Sequence, residues 1–495
     1  MKKCLSLVLA LFLLIGMIPA GALAADKPVH LTWMTTGDSG AEPLLENDRI
    51  VAKINELLNI DLEVIVVPEG DASKVNVAVA SNDPIDVITT SWPTATVNSW
   101  IEDGVVVPIT PYLDDTTPTL KAALENDFSW TAVDGEFYGY PFISQYSVSN
   151  QAMMFRQDWM EKLGLEVPTT LDELYNVLYA FTYNDPDGNG ENDTYGMSHF
   201  KNGNWFFDWV FYAYGRDYAD YCLDAEGNVI PVFEDPSFIP GMEYLRKLWN
   251  DGLIDPEFYM NNQTRMEEKF YQSKVGYITC YLYRHVSRIE GNLQALYPEG
   301  KLGYSLAPKG PEGDIGYKGR SKAGSMTFVS YHCKEPAVAT RFIDFMISPE
   351  GRDLLMLGIE GVHYTKDGDT IIFNEEERAK DNFSPNGWCH PLTWGSFAWP
   401  VDSIYLPATE PAYERAIESC EIASTMLMPN LVGLTPNSQT EYGSVLDDLY
   451  QTSFIEMLTG KVSVEEGVKT LSEKWRAQGG ETILAEVTEM YQQQK

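Results

Sequence analysis

Strand and helix patterns alternate over the first hundred residues, and this alternation constrains the fold more than any other feature. The segments 29–34 (VHLTWM), 60–67 (IDLEVIVV) and 86–90 (DVITT) have the apolar, β-branched composition of strands. Between them, the spacing of apolar residues predicts helices over 44–58 and 74–80. We therefore predict an α/β fold with a mainly parallel sheet.

The carboxyl ends of the strands are where ligands bind in open α/β sheets. Thr36 and Asp38 follow the first predicted strand, and Ser91 and Trp92 follow the third. Because parallel strands end at the same edge of a sheet, these side chains are expected to lie close together. We predict Asp38, Ser91 and Trp92 as ligand-binding residues.

The first 24 residues have the pattern of a signal peptide. Two lysines precede an apolar run over residues 5–18, and small residues follow at 22–24. We predict cleavage between Ala24 and Ala25. The predicted mature protein is exported, and is either secreted or held in an extracytoplasmic compartment.

The chain of 495 residues carries a formal net charge of −37 at pH 7, because it contains 72 acidic residues and 35 basic ones. A nucleic-acid partner requires a basic footprint for the phosphates, so we predict none. The length exceeds that of one ordinary hydrophobic core, which predicts at least two domains. The cysteines are widely spaced without a CxxC pair, so they do not form a disulfide scaffold.

An acidic loop over residues 185–193 (DPDGNGEND) has oxygen-bearing residues at alternate positions. Gly190 is at the sixth position, where a calcium loop turns sharply. We predict a structural Ca²⁺ site there, and the alternative is an ordinary Asp/Asn/Gly turn. The twelfth position is Gly196, where an EF-hand has a bidentate Glu. The predicted metal ligands are Asp185, Asp187, Asn189, Glu191 through its carbonyl group, and Asp193.

Several aromatic residues fall in predicted loops or at the ends of predicted elements. Flat rings beside a few polar groups suit sugar rings, whereas the alternative for any Trp or Tyr is core packing. Arg284 follows a predicted strand over 275–280 and could donate to a carboxylate or to sugar hydroxyls. The predicted ligand-binding residues in this group are Trp92, Trp205, Tyr281, Arg284, Trp388, His390, Trp394 and Trp399. For the nearby cations Lys318, Arg320 and Lys322, we favour inter-lobe ion pairs or a solvated face.

The sequence contains none of the catalytic signatures that carry a recognisable spacing. The six histidines are scattered, and HExxH, GxSxG, Walker and dinucleotide motifs are all missing. We predict that the protein is not an enzyme. Carboxylates are abundant, however, so a glycosidase-type acid pair stays open as an alternative.

Several segments together resemble the signatures of extracellular solute-binding proteins of ABC importers. The resemblance is carried by residues 82–88 (NDPIDVI), 134–141 (DGEFYGYP), 156–165 (RQDWMEKLGL), 167–173 (VPTTLDE), 342–351 (FIDFMISPEG) and 358–364 (GIEGVHY). It covers essentially the whole mature chain. It is closest to the large LipO-type members with a calcium loop, which include the alginate-oligosaccharide binders.

This resemblance implies a two-lobe periplasmic-binding-protein fold, type II-like, with hinge strands and a C-terminal helical part. It implies capture of an oligosaccharide in the cleft between the lobes by domain closure, and delivery to the membrane subunits of an ABC importer. We expect a monomer. The alternatives are a secreted glycoside hydrolase or lyase, and a peptide-binding or sensor protein. Gram-positive members of the family carry a lipobox cysteine after the apolar run, but here the early cysteine is Cys4, ahead of that run.

The predicted domain organisation follows from the same resemblance. It comprises a signal peptide (1–24), the first lobe (25–152), the second lobe with the calcium loop (153–325), a return to the first lobe (326–383), and a second-lobe part with the C-terminal helices (384–495). We predict crossings between lobes near residues 150–156, 325–331 and 383–387.

Overall fold

The computed structural model describes fourteen stretches of the chain. They are residues 27–36, 44–67, 72–92, 94–142, 152–200, 207–215, 221–280, 289–305, 308–311, 324–368, 370–383, 390–393, 434 and 436–493.

The first part of the chain alternates strands and helices, as its sequence predicts. Its elements are β1 (Val29–Thr36), α1 (Arg49–Leu58), β2 (Ile60–Val67), α2 (Ala72–Ala80), β3 (Val87–Trp92), α3 (Ala95–Glu102), α4 (Pro118–Asn126) and β4 (Gly139–Phe142). Helix α1 begins later than predicted because Asp48 caps it. One Asp48 carboxylate oxygen accepts from the N–H groups of Ile50 and Val51, both at 2.9 Å.

The chain then builds a second set of elements. These are β5 (Ala152–Arg156), α5 (Gln157–Leu163), α6 (Leu171–Tyr183), β6 (Tyr195–Met197), α7 (Asp208–Ala213), β7 (Tyr221–Leu223), β8 (Val229–Pro231), α8 (Phe238–Asn250), α9 (Gln263–Tyr271), β9 (Val275–Cys280), α10 (Gly291–Leu296) and β10 (Leu302–Ser305). Helices α5 and α6 are separated by residues 164–170. Thr170 and Glu173 form a reciprocal capping box that starts α6.

Two further groups of elements complete the described chain. The first comprises β11 (Gly324–Val329), α11 (Pro336–Ile347), α12 (Pro349–Met356), β12 (Tyr364–Asp367), β13 (Thr370–Phe373) and α13 (Glu375–Ala379). The second comprises the C-terminal helices α14 (Gln439–Leu458), α15 (Val464–Trp475) and α16 (Glu481–Gln493).

The first sheet has the strand order β2-β1-β3-β11-β4. Strand β1 is parallel to both β2 and β3, which agrees with the predicted parallel arrangement. Strand β11 is antiparallel to β3 on one side and to β4 on the other. The first lobe is therefore completed only when the chain returns to it.

The second sheet has the strand order β10-β5-β9-β6. Strand β5 is antiparallel to β9 and β10, and β6 is parallel to β9. Two separate antiparallel pairs, β7 with β8 and β12 with β13, lie outside the two main sheets.

Apolar side chains cover both faces of the first sheet. On one face Trp33 packs edge-on against Phe342 of α11, with ring centroids 5.4 Å apart. On the other face Met34 and Phe328 pack with Trp100 of α3. Since the sheet is buried on both sides, its polar strand ends are the parts available to a ligand.

The C-terminal helices pack on the second lobe. Phe454 and Trp475 belong to the same buried cluster as Phe207 and Phe238 of that lobe. The first lobe also extends further than predicted, since Leu392 is buried in its core rather than beyond a boundary at residue 383. Within the described part of the chain, no helix has the length and apolar character needed to cross a bilayer.

Candidate functional site

The chain passes between the two sheets at one end of the strands of each sheet, here called the edge. It leaves β4 at Phe142, which pairs with Ser325 of β11, and enters β5 at Ala152, which pairs with Cys280 of β9. After Ser305, at the end of β10, the chain still pairs with the second lobe at Lys309, and it re-enters the first sheet at the start of β11. The end of β4 pairs with the start of β11, and the start of β5 pairs with the end of β9, so the cleft between these strand ends is the candidate site.

The predicted crossings near residues 150–156 and 325–331 lie at the starts of two strands. Residues 152–156 are strand β5 of the second sheet, and residues 324–329 are strand β11 of the first. Lys309 still pairs with Thr170 of the second lobe, so the connections fall within residues 143–151 and 312–323. The third connection follows Leu392, which still packs in the first lobe, and precedes Leu434, which packs in the second.

Hydroxyl side chains follow one face of the first sheet towards the cleft edge. The hydroxyls further from the edge are hydrogen-bonded within the sheet. The Trp33 indole N–H donates to Thr89 Oγ1 at 2.9 Å, and Thr89 Oγ1 lies 2.8 Å from Thr327 Oγ1. These contacts connect three strands inside the buried core. They are structural hydrogen bonds because each polar atom has a protein partner.

On β3 and β11 the next hydroxyls on the same face lie one step nearer the edge, whereas Thr35 of β1 lies level with Thr89 because Trp33 pairs with Val87. Ser91 follows Thr89 by two residues and pairs in register with Ser325, which precedes Thr327 by two. Thr35 follows Trp33 by two residues and is fully buried. The Oγ atoms of Thr35 and Ser325 are buried and have no hydrogen-bond partner among the described residues. Buried polar atoms without a partner are rare in folded proteins.

The second lobe has a matching hydroxyl row at its own edge. Met153 of β5 pairs with Thr279 of β9 on one side and with Ser305 of β10 on the other. Paired residues in antiparallel strands point to the same face, so the two hydroxyls flank Met153. The buried Ser305 Oγ also lacks a partner within the described chain. Sequence patterns did not indicate Thr35, Ser305 or Ser325, because their positions depend on strand register.

The structure brings two predicted ligand-binding residues to the cleft edge. Ser91 and Trp92 end β3, and the Ser91 side chain is exposed. Most of the other predicted residues lie outside the described part of the chain. These are Asp38, Trp205, Tyr281, Arg284, Trp388, Trp394 and Trp399, together with Lys318, Arg320 and Lys322.

His390 has a structural environment instead of the predicted ligand-binding one. Its ring is fully buried, with Nε2 2.8 Å from Asp48 Oδ2, and Nδ1 accepts from the Leu392 N–H at 3.3 Å. Burial raises the pKa of Asp48, but the His390 contact and the N–H groups of α1 outweigh it and hold that pKa below its ordinary value. His390 therefore anchors its segment to the start of α1.

His199 lies just after β6, at the cleft edge of the second sheet. Its ring is buried and stacks on Phe207, with centroids 4.0 Å apart. Burial lowers the pKa of His199 to about 3. The imidazole is therefore neutral at physiological pH.

The acidic loop has the turns that its sequence predicts but no three converging metal-binding groups. Asn189 Nδ2 donates to Asp187 Oδ2 at 2.9 Å and to Asp193 Oδ1 at 3.1 Å, and Lys274 forms an ion pair with Asp193. Within the described residues, no group of three or more His, Cys, Asp and Glu side chains is arranged to hold a metal. The buried Asp185 Oδ1 has no described hydrogen-bond partner.

Electrostatics at the loop favour a cation. Burial raises the pKa of Asp187, and the neighbouring carboxylates of Asp185 and Asp193 raise it further. Carboxylate, amide and carbonyl oxygens at alternate positions are the donor set that Ca²⁺ prefers. The residues present therefore fit Ca²⁺ chemically, with Asp185 Oδ1 as an available ligand atom.

The end of the loop explains the missing twelfth ligand. Thr194 is buried, and its hydroxyl donates to the Phe181 carbonyl of α6 at 2.8 Å. A Cβ at Gly196 would lie 2.7 Å from the Leu178 carbonyl oxygen and 2.9 Å from that of Leu253. Backbone packing therefore excludes a Glu at position 196.

The family model of bacterial extracellular solute-binding proteins matches residues 48–353, which is more than half of the chain. The polygalacturonan/rhamnogalacturonan-binding protein YtcQ of Bacillus subtilis (strain 168) is 26% identical over 491 residues, covering 96% of this chain and 94% of that protein. The lipoprotein LipO of the same organism is 26% identical over 450 residues, covering 88% and 87%.

Solved structures share the fold. The alginate-binding protein AlgQ2, determined without calcium ion, has a TM-score of 0.75 at 22% identity and covers 94% of this chain and 98% of its own. An EF-hand mutant of the Streptococcus pneumoniae substrate-binding protein FusA, in complex with fructo-nystose, has a TM-score of 0.69 at 20% identity and covers 94% and 99%. The predicted α/β two-lobe fold with C-terminal helices is confirmed.

Proposed function

The chain belongs to the family of bacterial extracellular solute-binding proteins, and from this membership we propose that it captures an oligosaccharide between its lobes for an ABC importer. The family places the protein outside the cytoplasm. Its relatives are named as binding proteins, and YtcQ and FusA are named for binding carbohydrates. Full-length coverage of YtcQ supports transfer of this role to the whole chain.

The observation that carries the proposal is the pair of edges, one in each sheet, between which the chain passes. Ser91, Ser325 and Ser305 stand at these edges. Ser91 is exposed, and the Oγ atoms of Ser325 and Ser305 have no hydrogen-bond partner among the described residues. Two lobes joined by such connections can close on a solute by hinge motion. Closure buries the solute and forms a surface for the importer's membrane subunits, with the protein acting as a monomer.

Calorimetry with the purified mature chain tests this function. The panel comprises neutral fructo-oligosaccharides, oligogalacturonides and alginate oligosaccharides, with a set of short peptides for comparison. We expect saturable binding of at least one oligosaccharide and none of the peptides. Binding of peptides alone would overturn the carbohydrate assignment.

A second measurement separates binding from catalysis. The protein is incubated for a long period with each oligosaccharide, and new reducing ends are quantified. A binding protein leaves their number constant. Any increase that scales with protein concentration would identify a glycoside hydrolase or lyase instead.

We also propose a structural Ca²⁺ ion in the loop and a signal peptide over residues 1–24. The metal would be held by carboxylates of Asp185, Asp187 and Asp193, with oxygens of Asn189 and Glu191. The unpartnered Asp185 Oδ1 supports this set. The ion would neutralise the acidic loop and brace the end of α6, away from the cleft edges.

A further inference from the structure

We propose that Thr35, Ser325 and Ser305 bind the solute directly, and that the subsite between them takes an uncharged sugar ring. Thr35 and Ser325 belong to the first sheet and Ser305 to the second. This proposal rests on the proposed function, because it assigns the chemistry of the same cleft.

The first support is that these hydroxyls are buried without serving the fold. Thr35 is fully buried, and its Oγ1, like the Oγ atoms of Ser325 and Ser305, finds no partner among the described residues. A buried hydroxyl that is left unpaired costs free energy. A ligand that completes the hydrogen bonds of all three hydroxyls would remove this free-energy cost.

The second support is the contrast with the neighbouring hydroxyls. Thr327 lies two residues further into β11 than Ser325 and on the same face, and its Oγ1 is 2.8 Å from Thr89 Oγ1. The same strand thus carries one hydroxyl that is satisfied internally and one that is not. On β11 the change from a satisfied to an unsatisfied hydroxyl occurs at the step that reaches the cleft edge, whereas Thr35 is an unsatisfied hydroxyl level with Thr89 and Thr327.

The third support concerns the charge of the ligand. A hydroxyl both donates and accepts, which matches the hydroxyls of a sugar ring. A uronate carboxylate only accepts, and burying it requires a countercharge. The row of the first lobe includes Ser91 and Ser325, and the row of the second lobe includes Thr279, Met153 and Ser305. Both rows contain hydroxyl and apolar side chains, and none of their described members is cationic. The net charge of −37 adds repulsion for any anionic oligomer.

Paired measurements of affinity and stability test the assignment. Kestose is the neutral probe and trigalacturonate the acidic one. We expect Ser325→Ala and Ser305→Ala each to weaken binding of the neutral probe about tenfold. Because the two serines lie in different lobes, the double variant is expected to lose about a hundredfold. Melting temperatures without ligand should not fall, because no hydrogen bond within the protein is removed.

Thr327→Val is the matched control, since it removes a satisfied hydroxyl from the same strand. It should lower the melting temperature while leaving the affinity unchanged. Unchanged affinity in Ser325→Ala, or a lower melting temperature of that variant without ligand, would overturn the hydroxyl assignment. Preference of the wild type for trigalacturonate over kestose would overturn the neutral subsite. If neither those sugars nor any other oligosaccharide bound the wild type, the proposed function itself would fail.

Discussion

His390 Nε2 lies 2.8 Å from Asp48 Oδ2, although the two residues are 342 positions apart in the chain. Both side chains are buried, and Asp48 also caps helix α1 through its other oxygen. Because Nδ1 of His390 accepts from a backbone N–H, the ring proton lies on Nε2 and is donated to Asp48. One carboxylate therefore joins the start of α1 to a segment from the far end of the first lobe.

Asp48→Ala should lower the free energy of unfolding by about 2–4 kcal/mol. The loss combines a helix N-cap, typically ~1 kcal/mol, with an unpaired buried imidazole N–H, typically ~1–3 kcal/mol. Urea unfolding followed by tryptophan fluorescence measures it. The control is Asp61→Ala, which removes an exposed partner 3.1 Å from His30 and should cost less than about 1 kcal/mol. Equal losses in the two variants would contradict a special role for the buried pair.

The stability of the protein should fall as the pH drops below about 6.5. His199 has a pKa of about 3 in the folded state, whereas an unfolded histidine has its ordinary value. Between these values the unfolded chain binds the extra proton, so unfolding becomes more favourable as pH falls. The contribution can reach about 1.4 kcal/mol per pH unit.

Urea unfolding at a series of pH values measures this slope. His199→Gln should flatten it, because it removes the buried imidazole whose pKa is lowered in the folded state. A His199→Gln protein with the wild-type slope would show that other groups cause the acid sensitivity.

Arg378→Lys should destabilise the first lobe by about 2–4 kcal/mol. The fully buried guanidinium lies between two rings, 4.4 Å from the centroid of Phe373 and 4.2 Å from that of Phe383. Its Nη1 donates to the carbonyl of Leu357 at 2.9 Å. An ammonium group cannot stack between the rings and reach this acceptor in the same way.

Thermal melting compares this variant with Arg341→Lys on the exposed surface of α11, which should change stability by about 0.5 kcal/mol or less. A wild-type melting temperature for Arg378→Lys would show that charge alone suffices at this position.

Calcium should raise the melting temperature, and a chelator should reverse the rise. The expected stabilisation is about 2.7 kcal/mol at a calcium concentration one hundred times Kd. Asp185→Asn should remove most of this response, because it neutralises a ligand whose Oδ1 has no described protein partner. Asp224→Asn is the matched control, since Asp224 lies in another acidic turn and accepts from the Asn228 N–H at 2.7 Å. If neither calcium nor a chelator changed the melting temperature of the wild type, the proposed metal site in the loop would be contradicted.

Local patterns predicted much of the secondary structure. Strand β2 has the predicted bounds of Ile60–Val67, and β9 has the predicted bounds of Val275–Cys280. Apolar spacing and turn residues suffice for such elements because they reflect neighbours within one turn or one strand. The predicted start of α1 at residue 44 was wrong because the capping role of Asp48 was not recognised among the polar residues around it.

The chain's own residues also determined the family, through short signature segments that keep their order along the whole chain. The prediction of an extracellular solute-binding protein with a two-lobe α/β fold is confirmed. The sequence could not, however, distinguish a structural histidine from a ligand-binding one. His390 lies in the same segment as the predicted ligand-binding tryptophans, and its contact with Asp48 is what shows a structural environment for the histidine.

The sequence by itself determined the alternating strands and helices up to β3, the acidic loop and the family. The tertiary structure alone decided that β11 joins β3 and β4, and that Ser325 therefore lies beside Ser91. It also decided that Thr327 is satisfied while Ser325 and Ser305 are not. The physical reason is the separation along the chain over which each signal acts. Helix and strand signals come from adjacent residues, whereas hydrogen-bond satisfaction depends on the register of strands that are distant in the chain.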